Sequence, residues 1–252
     1  MDTNIAAAEV DDTRQSARTL VEFAYGRIRE KILNGQLEPG SKLKVEVLRA
    51  EYDVGASTMR EALSLLIADA LVTAEGQRGF RVAPISIEDL YDVTRMRKLL
   101  ECQALRESIA NGSDEWEAGV VAAYHRLSRV EERLYDDPQG VAEEWETRNR
   151  AFHDALLAGC GSKWLHHFHR ILYDQAVRYR RMSLTAPQIS RDVRKEHKQI
   201  LDAVLARDPD RACALTGEHI DRTQDGLVTL LMAKTQIKAK PPARGRRAGV
   251  AS

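Results

Sequence analysis

The chain has 252 residues, enough for one large or two small domains, and its composition, 43% hydrophobic and 30% charged, is that of an ordinary soluble helical protein. Basic and acidic residues balance to a formal charge of zero, so bulk charge does not mark out a nucleic-acid partner, and any attraction to DNA has to come from local charge placement. Three cysteines without paired spacing fit a reducing, cytoplasmic setting better than a disulfide framework, and the absence of a leader-like or long apolar segment argues against secretion or a membrane.

Residues 1–18 are polar without a sustained period and are expected to be disordered. The stretch TLVEFAYGRIREKILNG then keeps Leu20, Ala24, Ile28 and Ile32 on one face and stops at Asn34-Gly35, which predicts a helix. After a Pro-Gly turn over 37–43, Val45, Leu48 and Tyr52 give a short amphipathic helix. Asp53-Val54-Gly55 breaks it, and Ser57 is placed to cap a second helix carrying Met59, Leu63 and Leu66. This is helix-turn-helix spacing, although an αα-hairpin inside a helical core satisfies it equally. Ser57, Thr58 and Arg60 in the first turn suit phosphate oxygens and base edges in a major groove. Two β-prone runs, 71–74 and 80–82, flank Glu75-Gly76-Gln77-Arg78-Gly79 and read as a basic hairpin wing. A winged helix results, with Arg49, Arg60, Arg78 and Arg81 expected on one face.

From residue 86 onward the pattern is helical only. Ser86 with Asp89 reads as a capping box opening a helix to about 110, with Leu90, Val93, Leu99, Leu100 and Leu105 apolar. Ser113 caps a second helix to about 135, Pro138 starts a third to 158, and Ser162 caps a fourth to about 183. A fifth ends near 207, and Asp208-Pro209 opens a sixth to about 233. Short connections predict an antiparallel bundle of six to seven helices over 86–233, giving a mostly α protein with one small wing, and the basic stretch 234–252 is expected to be a disordered tail. Trp116, Trp145 and Trp164 read as core.

Within the bundle, Asn149 and His153 stand four apart on one helix, while His197 and His219 lie on the apolar sides of two others. Three inward imidazoles and one amide oxygen suit a divalent ion, and three separately hydrogen-bonded core histidines fit the same spacing. His166, His167 and His169 are too close along one helix to converge. A metal-dependent hydrolase would need a general base, and Glu196, the one at hand, points away from its neighbour His197.

LEPGSKL, VGASTMREAL and LLIADALVTAEGQRGFRV resemble the N-terminal domain of the GntR family of bacterial repressors over 19–84. The resemblance implies DNA contacts from Ser57, Thr58, Arg60, Arg78 and Gly79. Two positions depart from the family's pattern: Ala56 and Glu46 stand where arginines are frequent. Arg49, one turn beyond Glu46, is the substitute, and base specificity then rests more on Arg60. AFHDALLAGCGS, KEHKQILDAVLARD and GEHI resemble the FCD ligand-binding domain of the FadR subfamily over most of 87–231. That resemblance implies a divalent metal, Zn first and Mn or Ni after it, held by Asn149, His153, His197 and His219. Asn149 replaces an aspartate and weakens the site. It also implies a small carboxylate effector met by Arg97 and by Arg178 or Arg180, with an Arg97–Glu101 pair as the alternative for Arg97. The expected protein is a cytoplasmic, homodimeric repressor of a near-palindromic operator and not an enzyme; a pure metal sensor is the alternative regulator. SDEWEAGV and AGCGS are similar to members that repress glutarate and 2-hydroxyglutarate catabolism, which implies a dicarboxylate or aromatic acid effector. Acyl-CoA fits less well, since no phosphate cradle is evident.

Overall fold

Thr19 opens α1 (Leu20–Leu33) with a complete capping box, its hydroxyl accepting from the Glu22 amide while the Glu22 carboxylate accepts from the Thr19 amide. The computed structural model describes residues 19–76, 79–134, 136–184 and 191–239, and the side chains of these except 182–184 and 234–239. The expectations for residues 1–18, for Arg78 and for the tail beyond 239 fall outside the described residues. Phe23, Ala24, Ile28 and Ile32 form the buried face of α1, whereas Leu20 at its first position is exposed.

The helix-turn-helix consists of α2 (Val45–Glu51) and α3 (Ala56–Ala68). The turn takes its left-handed residue at Asp53, φ 50°, rather than at glycine. Gly55 occupies the N-cap of α3, so Ser57 and Thr58 fall inside the first turn and Ser57 does not cap it, a two-residue correction to the expected start. Leu48, Tyr52, Met59, Ala62, Leu63 and Leu66 pack on α1 as one apolar core. The wing has three strands instead of two: β1 (Lys42–Leu43), β2 (Val72–Ala74) and β3 (Phe80–Val82) pair antiparallel in the order β1-β3-β2. Lys42 lies opposite Arg81 and Ala74 opposite Phe80, so the Pro-Gly turn delivers an edge strand to the hairpin.

The second domain is built from α4 (Ile87–Asn111), α5 (Asp114–Leu134), α6 (Ala142–Leu157), α7 (Lys163–Leu184), α8 (Val193–Leu205) and α9 (Pro209–Ala239). The main packing pairs are α4 with α9, α5 with α6 and α4 with α7. Four expectations are corrected. The third bundle helix begins at Ala142, because Asp137 accepts from the Gly140 amide at 2.9 Å and commits Pro138 to a turn. The last helix runs on to Ala239, past the expected end at 233. Leu99 and Trp164 are 63% and 62% exposed, Trp164 stacking on Phe168 one turn on instead of entering the core. Ser86 caps the Asp89 amide, but the Asp89 carboxylate turns to the Tyr179 hydroxyl at 2.6 Å, leaving half a capping box.

Helix α7 joins the domains. Arg170 donates to Asp69, the residue that ends α3, at 2.8 and 3.2 Å, and Tyr25 of α1 donates to the same carboxylate. Gln175 donates to the carbonyls of Asp69 and Ala70, and Arg178 to the Ala83 carbonyl in the linker. Arg29 of α1 forks onto Asp174 at 2.6 to 3.1 Å. A buried carboxylate needs such pairing, so the two domains are latched by charge-assisted hydrogen bonds.

Candidate DNA interface and metal centre

Arg60 projects from the first turns of α3, exposed and with no side-chain partner among the described residues; Ser57 beside it is exposed and Thr58 half-buried. An unengaged guanidinium on a protruding helix is available for a bidentate contact to guanine or for phosphate. Arg49 is also exposed, but Glu46 holds it at 2.5 Å, so a DNA contact from Arg49 competes with that pair. Gly79 sits in the wing with φ 104°, a conformation that disfavours any side chain there. Arg81 departs from expectation: it is tied to Glu75 and to the Gly40 carbonyl at 2.9 Å, and so braces the wing against the turn before β1.

The bundle brings His153 of α6, His197 of α8 and His219 of α9 together. Their ring centroids lie 4.7 to 5.6 Å apart, and one donor nitrogen from each falls within 4.8 Å of the others. The three rings are buried, at 2%, 0% and 8% exposure. Glu131 meets His197 Nδ1 at 2.7 Å and Glu196 meets His219 Nδ1 at 2.9 Å. At His197 the carboxylate on Nδ1 favours the tautomer with a free Nε2 lone pair, whereas His219 Nδ1 is also met by the Arg191 guanidinium at 3.1 Å. Burial, reinforced by the neighbouring His197 and Arg191, lowers His219 to about 3, and burial with His219 nearby holds His153 well below the ordinary histidine value. Both rings are therefore neutral, the form that ligates.

Asn149 lies one turn before His153 on α6 and is buried. Its amide donates to the Tyr173 hydroxyl at 2.9 Å, which fixes the side chain and leaves its buried Oδ1, like His197 Nε2, with no hydrogen-bond partner among the described residues. An unpartnered buried polar atom is costly, so His197 Nε2 among the three imidazoles and Asn149 Oδ1 on the same helix face as His153 are acceptors that a cation could meet. The residues present fit a divalent ion with three imidazoles and one amide oxygen as donors.

Around this centre the charges are already paired. Arg97 binds Glu101 at 2.7 to 2.8 Å, the i,i+4 alternative, and lies 5.0 Å over the Tyr173 ring. Arg180 binds Glu146 and also faces Tyr173 at 4.8 Å. Arg178 does not join them: it points to the linker carbonyl of Ala83, so its expected place in the histidine pocket is corrected. His169, set aside in the sequence with its crowded neighbours, is buried with Nε2 3.4 Å from Glu101; proximity in sequence to exposed His167 hid it. Glu196 is gripped by Arg191 and His219, which hold its carboxyl well below the usual range against the opposing effect of burial. It is a buttress for His219 and is not placed as a base.

A profile for bacterial regulatory proteins of the gntR family matches residues 20–82, and one for the FCD domain matches residues 92–222. The chain belongs to the GntR family. Among its relatives, the HTH-type transcriptional regulator BphR of Paraburkholderia xenovorans is 45% identical over 82% of this chain and 84% of its own length. The HTH-type transcriptional repressor GlaR of Escherichia coli is 38% identical over 78% of this chain and 90% of its own. A solved GntR regulator from Rhodococcus is similar at a TM-score of 0.66 and 25% identity, covering 81% of this chain and 95% of that one. As a GntR-family member with an FCD domain, the chain is a DNA-binding transcriptional regulator and not an enzyme, which removes the hydrolase alternative. No helix among the described residues is long and apolar enough to cross a membrane.

Proposed function

We propose that this regulator is a homodimeric, cytoplasmic repressor that holds a near-palindromic operator and is released by a small carboxylate bound beside a divalent ion. The observation that carries this reading is the pair of unpartnered buried acceptors, Asn149 Oδ1 and His197 Nε2, beside two further imidazoles. Leaving a buried acceptor unmet costs about 1–3 kcal/mol, a cost that ligation removes. Asn149, His153, His197 and His219 would hold the ion, Zn first by the nitrogen-rich donor set and Mn or Ni as alternatives. When bound, the ion supplies a positive point for an acid group. The four donors are neutral, so the acid offsets charge that the aspartate of other members would have met. Arg97, over Tyr173, is the second anchor for the acid, which it reaches only by exchanging its ion pair with Glu101. Ser57, Thr58, Arg60, Gly79 and the wing's Arg78 read the operator, with Arg49 secondary. Two copies place their α3 helices one DNA turn apart.

The test is fluorescence anisotropy on DNA fragments selected by the protein from its source genome. The expected result is tight binding that is reversed by glutarate, 2-hydroxyglutarate or an aromatic acid when Zn or Mn is present, and a response lost in His197→Ala with DNA affinity kept. Release by metal alone would replace this reading with a metal sensor, and indifference to both metal and acids would remove it.

A further inference from the structure

Between the two domains lies a cavity of about 410 Å³ that shares no residue with the histidine pocket. Ala70 at the end of the reading helix, Ile85 of the linker, Val93 of α4, and Ile171 and Leu172 of α7 give it apolar walls, and Arg178 gives it a cation. Arg178 is only 4% exposed, yet no carboxylate lies within ion-pair distance of it among the described residues. Its hydrogen bonds go to two neutral acceptors, the Gln175 side chain at 2.6 Å and the Ala83 carbonyl, and its Nε has no partner among the described residues. The equally buried Arg97 and Arg180 each have a glutamate. A buried guanidinium without a direct ion pair is costly, and burial pulls Arg178 below the ordinary arginine value against the weaker opposing effects of Tyr179 and Asp89. The cavity's two acids meet this need only in part: Asp92 is taken by Arg95, and Asp89, exposed and held by the Tyr179 hydroxyl, favours the charged Arg178 through space without forming an ion pair with it.

We propose that this junction cavity is a second effector site, independent of the metal pocket, for a small organic monocarboxylate with a short apolar body. The carboxylate binds Arg178 as a fork and the body lies against Ile85, Val93, Ile171 and Leu172. A cavity of this size is within the range of small-ligand pockets. Binding here competes with the Ala83 carbonyl for Arg178 and with Gln175, whose amide holds the carbonyls of Asp69 and Ala70. A ligand therefore acts directly on the end of α3 and the exit of β3, where the reading helix and wing are latched to α7.

Calorimetric titration of the full chain with hexanoate and pentanoate, aliphatic monocarboxylates unlike the dicarboxylates and aromatic acids proposed for the metal pocket, with hexan-1-ol as the neutral control, tests this. The acids should bind at least about tenfold more tightly than the alcohol. Arg178→Met should remove that advantage, Leu172→Trp should block all three by filling the cavity with Arg178 intact, and His197→Ala should change nothing. If Arg178→Met fails to fold, the alcohol control and Leu172→Trp decide. Acid binding that survives Leu172→Trp, that is lost in His197→Ala, or that is absent at millimolar concentration overturns the proposal.

Discussion

Tyr173 and Asp174 are adjacent on α7 and serve different domains: the Tyr173 hydroxyl receives the Asn149 amide beside the histidines at 2.9 Å, while the fully buried Asp174 carboxylate receives Arg29 of α1 at 2.6 Å. One peptide unit separates a contact beside the histidine cluster from a contact of the DNA-reading domain. Asp174→Asn leaves Arg29 and Arg150 without their shared anion. Breaking a fully buried pair costs about 3–5 kcal/mol, and partly exposed arginines reduce the loss here to roughly 2 kcal/mol. Urea unfolding should show that loss, and operator binding should become less responsive to ligand while the bundle still takes up metal.

Arg60→Ala should leave the melting temperature unchanged, because the side chain is exposed and unpaired among the described residues. Operator affinity should fall by about 1–3 kcal/mol if the guanidinium reads a base. Anisotropy titrations against base-substituted operators separate the two contacts: relaxed preference at one position marks a base contact, and a salt slope smaller by about one marks a phosphate.

Glu131 fixes the ring of His197 from behind at 2.7 Å. Removing such a support typically lowers metal affinity about 10–100-fold, so Glu131→Gln should do so with the three imidazoles intact. Asn149→Asp should act in the opposite sense by adding an anionic oxygen, and should make binding of an acidic effector weaker, since the acid then meets less positive charge. Competition with a chromophoric chelator reads both affinities. A drop in melting temperature when the wild-type protein is chelated would check that metal binds the folded bundle.

Acid should undock the domains. Burial raises the Asp69 carboxyl, but hydrogen bonds from Arg170 and Tyr25 and the charges of Arg170 and Arg29 outweigh it and hold the group below its ordinary 3.8. The unfolded state therefore binds the proton more readily than the folded one. The stabilisation from Asp69 is complete above the unfolded value, near pH 4, and is lost as pH falls through the lower folded value. Hydrogen exchange at the linker around Pro84 should rise on acidification in the wild type. Asp69→Asn should show raised exchange already at neutral pH, with little further change from this group.

Much of this was legible because it lay in strong periodicity. Met59, Leu63 and Leu66 recur at helical spacing and are all buried in α3, and His153, His197 and His219 sit among apolar residues at the spacing that turned them inward. What was not legible depended on tertiary partners. Leu99 and Trp164 have core composition but face outward, because a side chain's type does not reveal which neighbours its helix acquires. The strand β1 is too short, at two residues, to carry an alternation. Arg178 was misassigned because it lies in a stretch buried on all sides, where period no longer tells one face from another, and its partner is a backbone carbonyl that has no residue-type signature.

That stretch, residues 173–180, has no solvent-facing residue at all. A rod packed over its full circumference cannot roll or slide by itself, since every face would have to give way together. Substitutions along it disturb several contacts simultaneously, so changes in what the regulator recognises are more readily accommodated on α6, α8 and α9, which keep an outer face. The central segment of α7 is in this sense an axle: the part least free to diversify, and the part about which sensor and reader can turn as one.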